Sequence, residues 1–191
     1  GVASGRFLNN GHPAFGNGSD FTAWALCIPT AGSAYQNPLD SDDVVNSRRM
    51  FQLRFSNTNG YEFIAFNTAV TAFTAAGGAM TLNRMTTLAG TVLGTAVSVW
   101  KDGISVGTAS LTGTIYGGGI ETWIGSNIPL DQKFNGYVLA AGVWKRALTA
   151  TELIQLQYEP YGLLLTQAPR TQYLVPTAAP AADVFYVGVM G

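Results

Sequence analysis

Few residues of this chain could serve as acids, bases, nucleophiles or metal ligands. The sequence has one histidine, His12, and one cysteine, Cys27. One chain therefore cannot form a metal site of several His and Cys side chains, a His-dyad nucleophile or a disulfide. Its four glutamates each lack an acidic residue two or three positions away, whereas a retaining glycoside hydrolase needs two carboxylates about 5 Å apart. The sequence therefore predicts a protein without enzymatic activity.

The densest group of possible metal ligands is the acidic cluster Asp40, Asp42 and Asp43. Oxygen-rich loops bind Ca²⁺, but this spacing lacks the regular ligands and the distal glutamate of an EF-hand loop. Short acidic runs are also typical of solvated surface segments. The sequence therefore leaves two interpretations, a Ca²⁺-binding loop and a solvated acidic loop, and it indicates no other cofactor.

Aromatic residues in predicted loops are the candidates for stacking against a sugar ring. They are Tyr35, Tyr116 and Tyr137, and Tyr116 precedes the flexible run Gly117–Gly119. Loops of this kind often carry binding residues. Each tryptophan lies instead in an apolar predicted strand, which favours core packing. We expect these four residues to be largely buried near Phe51, Phe55, Phe63 and Leu148: Trp24, Trp100, Trp123 and Trp144.

The composition excludes several classes of partner. Charged residues make up 11% of 191 residues and the formal net charge is −1, against roughly 25% charged residues in typical soluble domains. No basic run is longer than Arg48-Arg49, so a nucleic-acid footprint is not expected. The longest weakly polar stretch, Leu88 to Trp100, is too short and too polar for a membrane span. The low charge indicates a surface that other protein covers, or a neutral extracellular protein.

Residues of alternating polarity predict an all-β fold with one short helix. Two hairpins are predicted, 51–55 with 61–66 around Asn57–Gly60, and 96–100 with 104–107 around Asp102-Gly103, because Asn-Gly and Asp-Gly favour tight turns. Further strands are predicted at 21–28, 80–85, 121–125 and 136–144. Thr149 and Glu152 form a capping-box pattern at the start of a helix, which Pro160 ends. Many short strands with Gly-rich turns are typical of a β-sandwich.

Several motifs make the chain similar to a known family. They are the strand and turn Val97–Gly103, the Trp-Ile-Gly strand 123–125, the Phe-Asn-Gly segment 134–136, and Trp144–Leu153 with its Arg-Ala-Leu-Thr core. Together they resemble the laminin-G-like, concanavalin A-like (LamG/pentraxin-type) jelly roll. The resemblance implies a jelly-roll β-sandwich over residues 1–160, followed by an extended C-terminal arm, 161–191.

The C-terminal part also resembles the tails that follow such domains in tailed-phage virion proteins, through Tyr158–Leu164 and Pro169–Pro176. This resemblance implies a virion location and a structural role in capsid decoration, a head fibre or the tail. The alternative is a lectin-like carbohydrate-binding module or adhesin domain. Both use host or environmental glycans as possible partners.

The end of the arm is apolar and β-prone. It carries the run Val184, Phe185, Tyr186 and Val187, which would be an exposed strand edge in water. We expect a partner chain to cover it, either in a homo-oligomer, with a trimer favoured, or on another virion subunit. Pairing with an edge of the same sandwich is the alternative.

Overall fold

The structure is a computed structural model, which describes residues 5–7, 15–32, 34–43, 48–58, 60–118, 121–127 and 132–160. Within these residues the alternating segments form two antiparallel sheets and one helix. The predicted jelly-roll sandwich with one short helix is confirmed. The predicted arm, including Val184, Phe185, Tyr186 and Val187, lies outside the described residues.

The elements are β1 (Gly5–Phe7), β2 (Phe21–Pro29), β3 (Gln36–Asp43), β4 (Arg48–Phe55), β5 (Tyr61–Phe66), β6 (Ala72–Gly77), β7 (Thr86–Leu93), β8 (Ala96–Lys101), β9 (Ile104–Ser110), β10 (Glu121–Ile124), β11 (Gly136–Trp144) and α1 (Ala150–Tyr158). The six-stranded sheet has the order β1-β10-β3-β4-β5-β6, and the five-stranded sheet has the order β11-β2-β7-β8-β9.

Both predicted hairpins are present, as β4–β5 and β8–β9. In the β8–β9 turn, Asp102 has φ 50° and Gly103 has φ 75°, the left-handed conformations that a two-residue hairpin turn requires. The Asp102 carboxylate also accepts a hydrogen bond of 2.9 Å from the backbone N–H of Thr87 on β7. This contact attaches the turn to the neighbouring strand and fixes the register of three strands.

The main core lies between the two sheets and is built largely from aromatic rings. Phe21 of β2 packs at centroid distances of 5.6 Å from Phe51 and 5.9 Å from Phe63, on the opposite sheet. Cys27 is buried in the same core, and burial raises the pKa of its thiol to about 12. It therefore acts as a small hydrophobic residue.

A second core lies under α1, on the outer face of the five-stranded sheet. Leu153 and Leu156 of the helix pack against Trp24, whose ring meets that of Trp144 edge-on at 6.3 Å. The predicted capping box is confirmed, because the Thr149 side chain accepts from the Glu152 N–H and the Glu152 carboxylate accepts from the Thr149 N–H. Trp24 is buried and the other three tryptophans are half-buried. Their expected position beside Phe51, Phe55 and Phe63 is wrong for Trp24, Trp100 and Trp144, which belong to this second core.

The strand predicted at 80–85 is wrong. This segment is a turn-rich connection between β6 and β7, and Asn83 in it has φ 57°. Four strands that the sequence pattern did not indicate are present at β1, β3, β6 and β7. In the described part of the chain, no helix combines the length and the apolar character needed to cross a membrane.

The two sheets meet closely along one lateral edge, where β6 faces β9. A Cβ atom on Gly77 would lie 1.9 Å from the carbonyl oxygen of Val106, and one on Gly107 would lie 2.2 Å from that of Ala76. Both positions therefore need glycine because backbone packs directly against backbone.

Candidate functional site

The two outer faces of the sandwich differ in what covers them. Helix α1 covers part of the five-stranded sheet with apolar side chains. On the six-stranded sheet, Phe51, Leu53 and Phe55 of β4 point into the core, so Gln52 and Arg54 between them point to the outer face. This face is the one that carries a chain of polar side chains.

Strand pairing places these polar side chains next to one another. Gln52 is opposite Asp40 of β3, Arg54 is opposite Glu62 of β5, and Asp40 is in turn opposite Trp123 of β10. Asn37 lies three residues before Asp40 on the same strand. We name Asn37, Asp40, Gln52, Arg54 and Glu62 the polar row.

Hydrogen bonds connect the polar row from end to end. The Asp40 carboxylate oxygen Oδ2 accepts from Asn37 Nδ2, and from Gln52 Nε2 at 2.9 Å. Arg54 Nη1 approaches Gln52 Oε1 at 3.5 Å, and Arg54 Nε donates to Glu62 Oε2 at 2.7 Å. Each side chain is therefore held in place by its neighbour, which makes the row rigid before any ligand arrives.

The row changes from buried to accessible along its length. Asn37, Asp40 and Gln52 are buried, whereas the Arg54 and Glu62 side chains are each 15% exposed. Tyr35 is 37% exposed, and the Arg54 guanidinium carbon lies 4.3 Å from the centre of its ring. At the accessible end of the row, the guanidinium group therefore lies over one face of the Tyr35 ring and is paired with the Glu62 carboxylate.

Local hydrogen bonds hold the loop that carries Tyr35. The side chain of Gln36, the first residue of β3, donates to the Ala31 carbonyl at 2.8 Å and accepts from the Asn135 N–H at 2.8 Å. The connection between β2 and β3 is thus attached both to itself and to the segment before β11. This attachment fixes the backbone next to Tyr35.

The acidic cluster is not a loop, so both interpretations of it as a loop are wrong. Asp40, Asp42 and Asp43 lie in β3, and Asp40 and Asp42 are buried. The Asp42 carboxylate forms an ion pair of 2.9 Å with Arg49, while the side chain of Asp43 is outside the description. Burial and the neighbouring Asp42 raise the pKa of Asp40 well above its usual range. Among the described residues, no three His, Cys, Asp or Glu side chains are grouped to hold a metal ion.

Pairing of β10 with β3 does bring carboxyl groups together, which the linear spacing did not reveal. Glu121 is opposite Asp42, and Asp40 is two residues before it on the same face. A raised pKa at Asp40 beside an ion-paired Asp42 has the pattern of a general acid and its partner. Asp40 has no exposed surface, however, and its carboxyl bonds to Asn37 and Gln52. A glycosidic oxygen has no access to it.

The three candidate tyrosines fall in different places. Tyr35 is at the accessible end of the polar row. Tyr116 is only 8% exposed and packs in the main core beneath Arg48, at 5.2 Å, so its prediction as an exposed loop residue is wrong. Tyr137 is 60% exposed but belongs to β11 of the other sheet rather than to a loop.

The residues of the polar row other than Asp40 were not identified as binding residues by the sequence analysis. The alternation in Phe51–Phe55 already places Gln52 and Arg54 on one face, and the predicted hairpin pairs this strand with Tyr61–Phe66. The signal for the Arg54–Glu62 pair was therefore available in the sequence. Asn37 had no such signal, and Asp40 was identified only as part of an acidic loop, because β3 itself was not predicted.

Comparison with solved structures shows the same fold in several proteins. The sialidase CBM40 domain of Ruminococcus gnavus, bound to α2,3-sialyllactose, has a TM-score of 0.62 at 17% identity, covering 73% of this chain and 83% of that one. The heptameric SAP-like pentraxin of Limulus polyphemus has a TM-score of 0.57 at 14% identity, covering 80% of each chain. The binding domain of Paraclostridial Mosquitocidal Protein 1 has a TM-score of 0.57 at 12% identity, covering 83% of this chain and 41% of that one.

At the sequence level, a comparison with curated proteins gives no significant match. The Laminin_G_3 family model, described as the concanavalin A-like lectin/glucanases superfamily, matches residues 5–154. This range includes both sheets, the polar row and the first half of α1. It also includes the motifs on which the sequence resemblance depends. The chain therefore belongs to the Laminin_G_3 family of the concanavalin A-like lectin/glucanases superfamily.

Proposed function

We propose that this protein is a non-enzymatic carbohydrate-binding domain that holds a glycan at the accessible end of the polar row. The observation that carries the proposal is the grouping of Tyr35, Arg54 and Glu62 on the outer face of the six-stranded sheet. An aromatic ring beside planar polar groups offers both an apolar surface and directional hydrogen bonds. A pyranose ring needs both, because its C–H groups and hydroxyl groups lie on different sides.

Two further points support this proposal. The R. gnavus CBM40 domain, which shares the fold, is described as bound to sialyllactose. The polar row is also pre-ordered by its own hydrogen bonds, so a ligand would not have to immobilise these side chains, and this lowers the entropic cost of binding. The lack of access to Asp40 supports binding without hydrolysis, as the sequence predicts.

The test is a glycan array followed by calorimetric titration of each glycan that binds. Tyr35→Ala and Arg54→Gln should each weaken binding at least tenfold. Two matched variants should leave it unchanged: Tyr137→Ala removes an exposed tyrosine from the other sheet, and Arg146→Gln breaks a comparable Arg–Glu pair, 2.6 Å long, beside α1. Equal losses in the matched variants would place the site elsewhere.

A virion role is a second candidate, favoured by the charge content of 11% and by the phage-like tail motifs in Tyr158–Pro176. In this proposal the arm, 161–191, attaches the domain to a neighbouring copy or to another virion subunit. Deleting residues 176–191 should then reduce the oligomeric mass in light scattering, or the occupancy on purified particles. Unchanged mass together with unchanged occupancy would contradict it.

A further inference from the structure

We infer that the glycan recognised at the polar row is a neutral sugar, bound through adjacent hydroxyl groups, and not a sugar that carries a carboxylate. This inference rests on the proposed function and adds the chemical class of the ligand. By analogy with the CBM40 domain bound to sialyllactose, an acidic sugar would be expected instead. The argument comes from the state of Arg54 and from the charges around it.

Arg54 already forms an ion pair with a carboxylate of the protein. Its Nε donates to Glu62 Oε2 at 2.7 Å, and its Nη1 points to Gln52 Oε1 at 3.5 Å. Tight recognition of a ligand carboxylate needs two parallel N–H groups on one edge of the guanidinium. Glu62 holds the Nε edge and Gln52 lies near Nη1, so a second carboxylate would compete with Glu62 for the guanidinium.

The charges on this face also oppose an anion. The guanidinium groups of Arg49 and Arg54 are paired with the carboxylates of Asp42 and Glu62. An acidic sugar at Arg54 would place its carboxylate beside Glu62, where like charges repel. The exposed Lys133 lies at the opposite end of the row, next to Asn37.

The hydrogen-bond acceptor and donor that remain unbonded at the accessible end suit a pair of neighbouring sugar hydroxyl groups. Glu62 Oε1 and Arg54 Nη2 form no hydrogen bond within the described part of the chain. They present one strong acceptor and one strong donor, which are adjacent because the two side chains are bonded to each other. A sugar hydroxyl both donates and accepts, so two neighbouring hydroxyls satisfy both atoms, and Tyr35 lies next to them through its contact with Arg54.

The experiment compares glycans that differ only in an acidic residue. The array holds each neutral oligosaccharide beside its sialylated or uronic form, including lactose beside α2,3-sialyllactose, and the purified full chain is the probe. For the pairs that bind, we expect the neutral member to bind at least tenfold more tightly, with this signal lost in Tyr35→Ala and kept in Arg146→Gln. Tighter binding of the acidic members, lost in Arg54→Gln, would overturn the inference and leave the proposed function intact.

A second variant tests whether the Arg54–Glu62 pair causes the preference for neutral glycans. Glu62→Gln removes the negative charge and releases the Nε edge of Arg54, while the amide keeps the size of the side chain. We expect the preference for neutral over acidic glycans to fall at least tenfold in this variant. An unchanged ratio would show that Arg54 and Glu62 do not set the selectivity, and an array without any bound glycan would overturn the proposed function itself.

Discussion

Replacing Gly90 by alanine would test the close packing of the two sheets in the aromatic core. Gly90 of β7 faces the aromatic core, and a Cβ atom there would lie 2.0 Å from Cδ2 and 2.1 Å from Cγ of Phe63. Carbon atoms in contact are normally about 3.5–4.0 Å apart, so the ring and the strand would have to separate by about 1.5 Å. The ring has little room to move, because it is buried between Phe21 and Phe51 at centroid distances of 5.9 Å and 6.1 Å.

The expected cost follows from two opposing terms. Overpacking a core typically costs about 1–3 kcal/mol, and this overlap belongs at the upper end because the Phe63 ring is enclosed. Alanine is favoured over glycine in a strand by roughly 0.5–1 kcal/mol. We therefore expect Gly90→Ala to lower the free energy of unfolding by about 2 kcal/mol, or the Tm by about 4–8 °C for a domain of this size.

Urea unfolding, monitored by tryptophan fluorescence, measures this change in the free energy of unfolding. Gly94→Ala is the control, since a Cβ atom at Gly94 meets nothing within 4 Å and only its φ of 57° opposes the substitution. That control should cost about 1 kcal/mol. In a double-mutant cycle, Phe63→Leu should partly rescue Gly90→Ala, with a coupling of about 1 kcal/mol or more. A Gly90→Ala protein as stable as the wild type, or one without coupling to Phe63, would refute this description of the core.

Three further predictions concern single side chains. Burial raises the pKa of Asp40 in the folded protein, so the free energy of unfolding should fall as the pH rises from the usual aspartate pKa toward the folded-state pKa. Asp40→Asn should flatten this slope in urea unfolding at a series of pH values above about pH 4, and an unchanged slope would contradict the prediction. The Arg146 side chain lowers the pKa of Glu152 to about 2, so the contribution of the ionised Glu152 to stability should vanish as the pH falls from 4.5 toward 2. Glu152→Gln should lower the free energy of unfolding by about 1 kcal/mol at neutral pH and by little in strong acid, and an equal loss at both would exclude an ionic contribution. Val70 is exposed with φ 62°, and Val70→Asn should raise the free energy of unfolding by about 1 kcal/mol; an unchanged or lower Tm would show that the turn stores no strain.

The sequence predicted those elements whose ends carry specific local chemistry. Asp102-Gly103 marked one hairpin, Asn57–Gly60 marked another, and the Thr149 capping box marked the helix. Each signal acts within a few residues, so it is readable without knowledge of the fold. The resemblance motifs then identified the family because they repeat the same local features in a characteristic order.

The parts that the sequence did not predict depend on contacts between distant segments. β3 contains Asp, Ser, Asn and Pro, residues that are unfavourable in strands, and it forms because β4 and β10 pair with it on both sides. Its polar side chains are buried only because other segments cover them. For the same reason, the spacing of Asp40 and Asp42 suggested a loop, while the partners that bury them, such as Gln52 and Trp123, are far away in the sequence.

The close contact of Gly77 with Val106 and of Gly107 with Ala76 determines where another β-strand could join this protein. β6 and β9 are the outermost strands of their sheets on that side, and each lies against the other instead of facing water. A peptide cannot extend either sheet there without first separating the two edges. Of the strands that the structure describes, β1 and β11 are the outermost on the opposite side, so strand addition, in assembly or in aggregation, is directed there. The mutual contact of β6 and β9 therefore closes both of their edges to strand pairing, and among the described strands β1 and β11 are left for it.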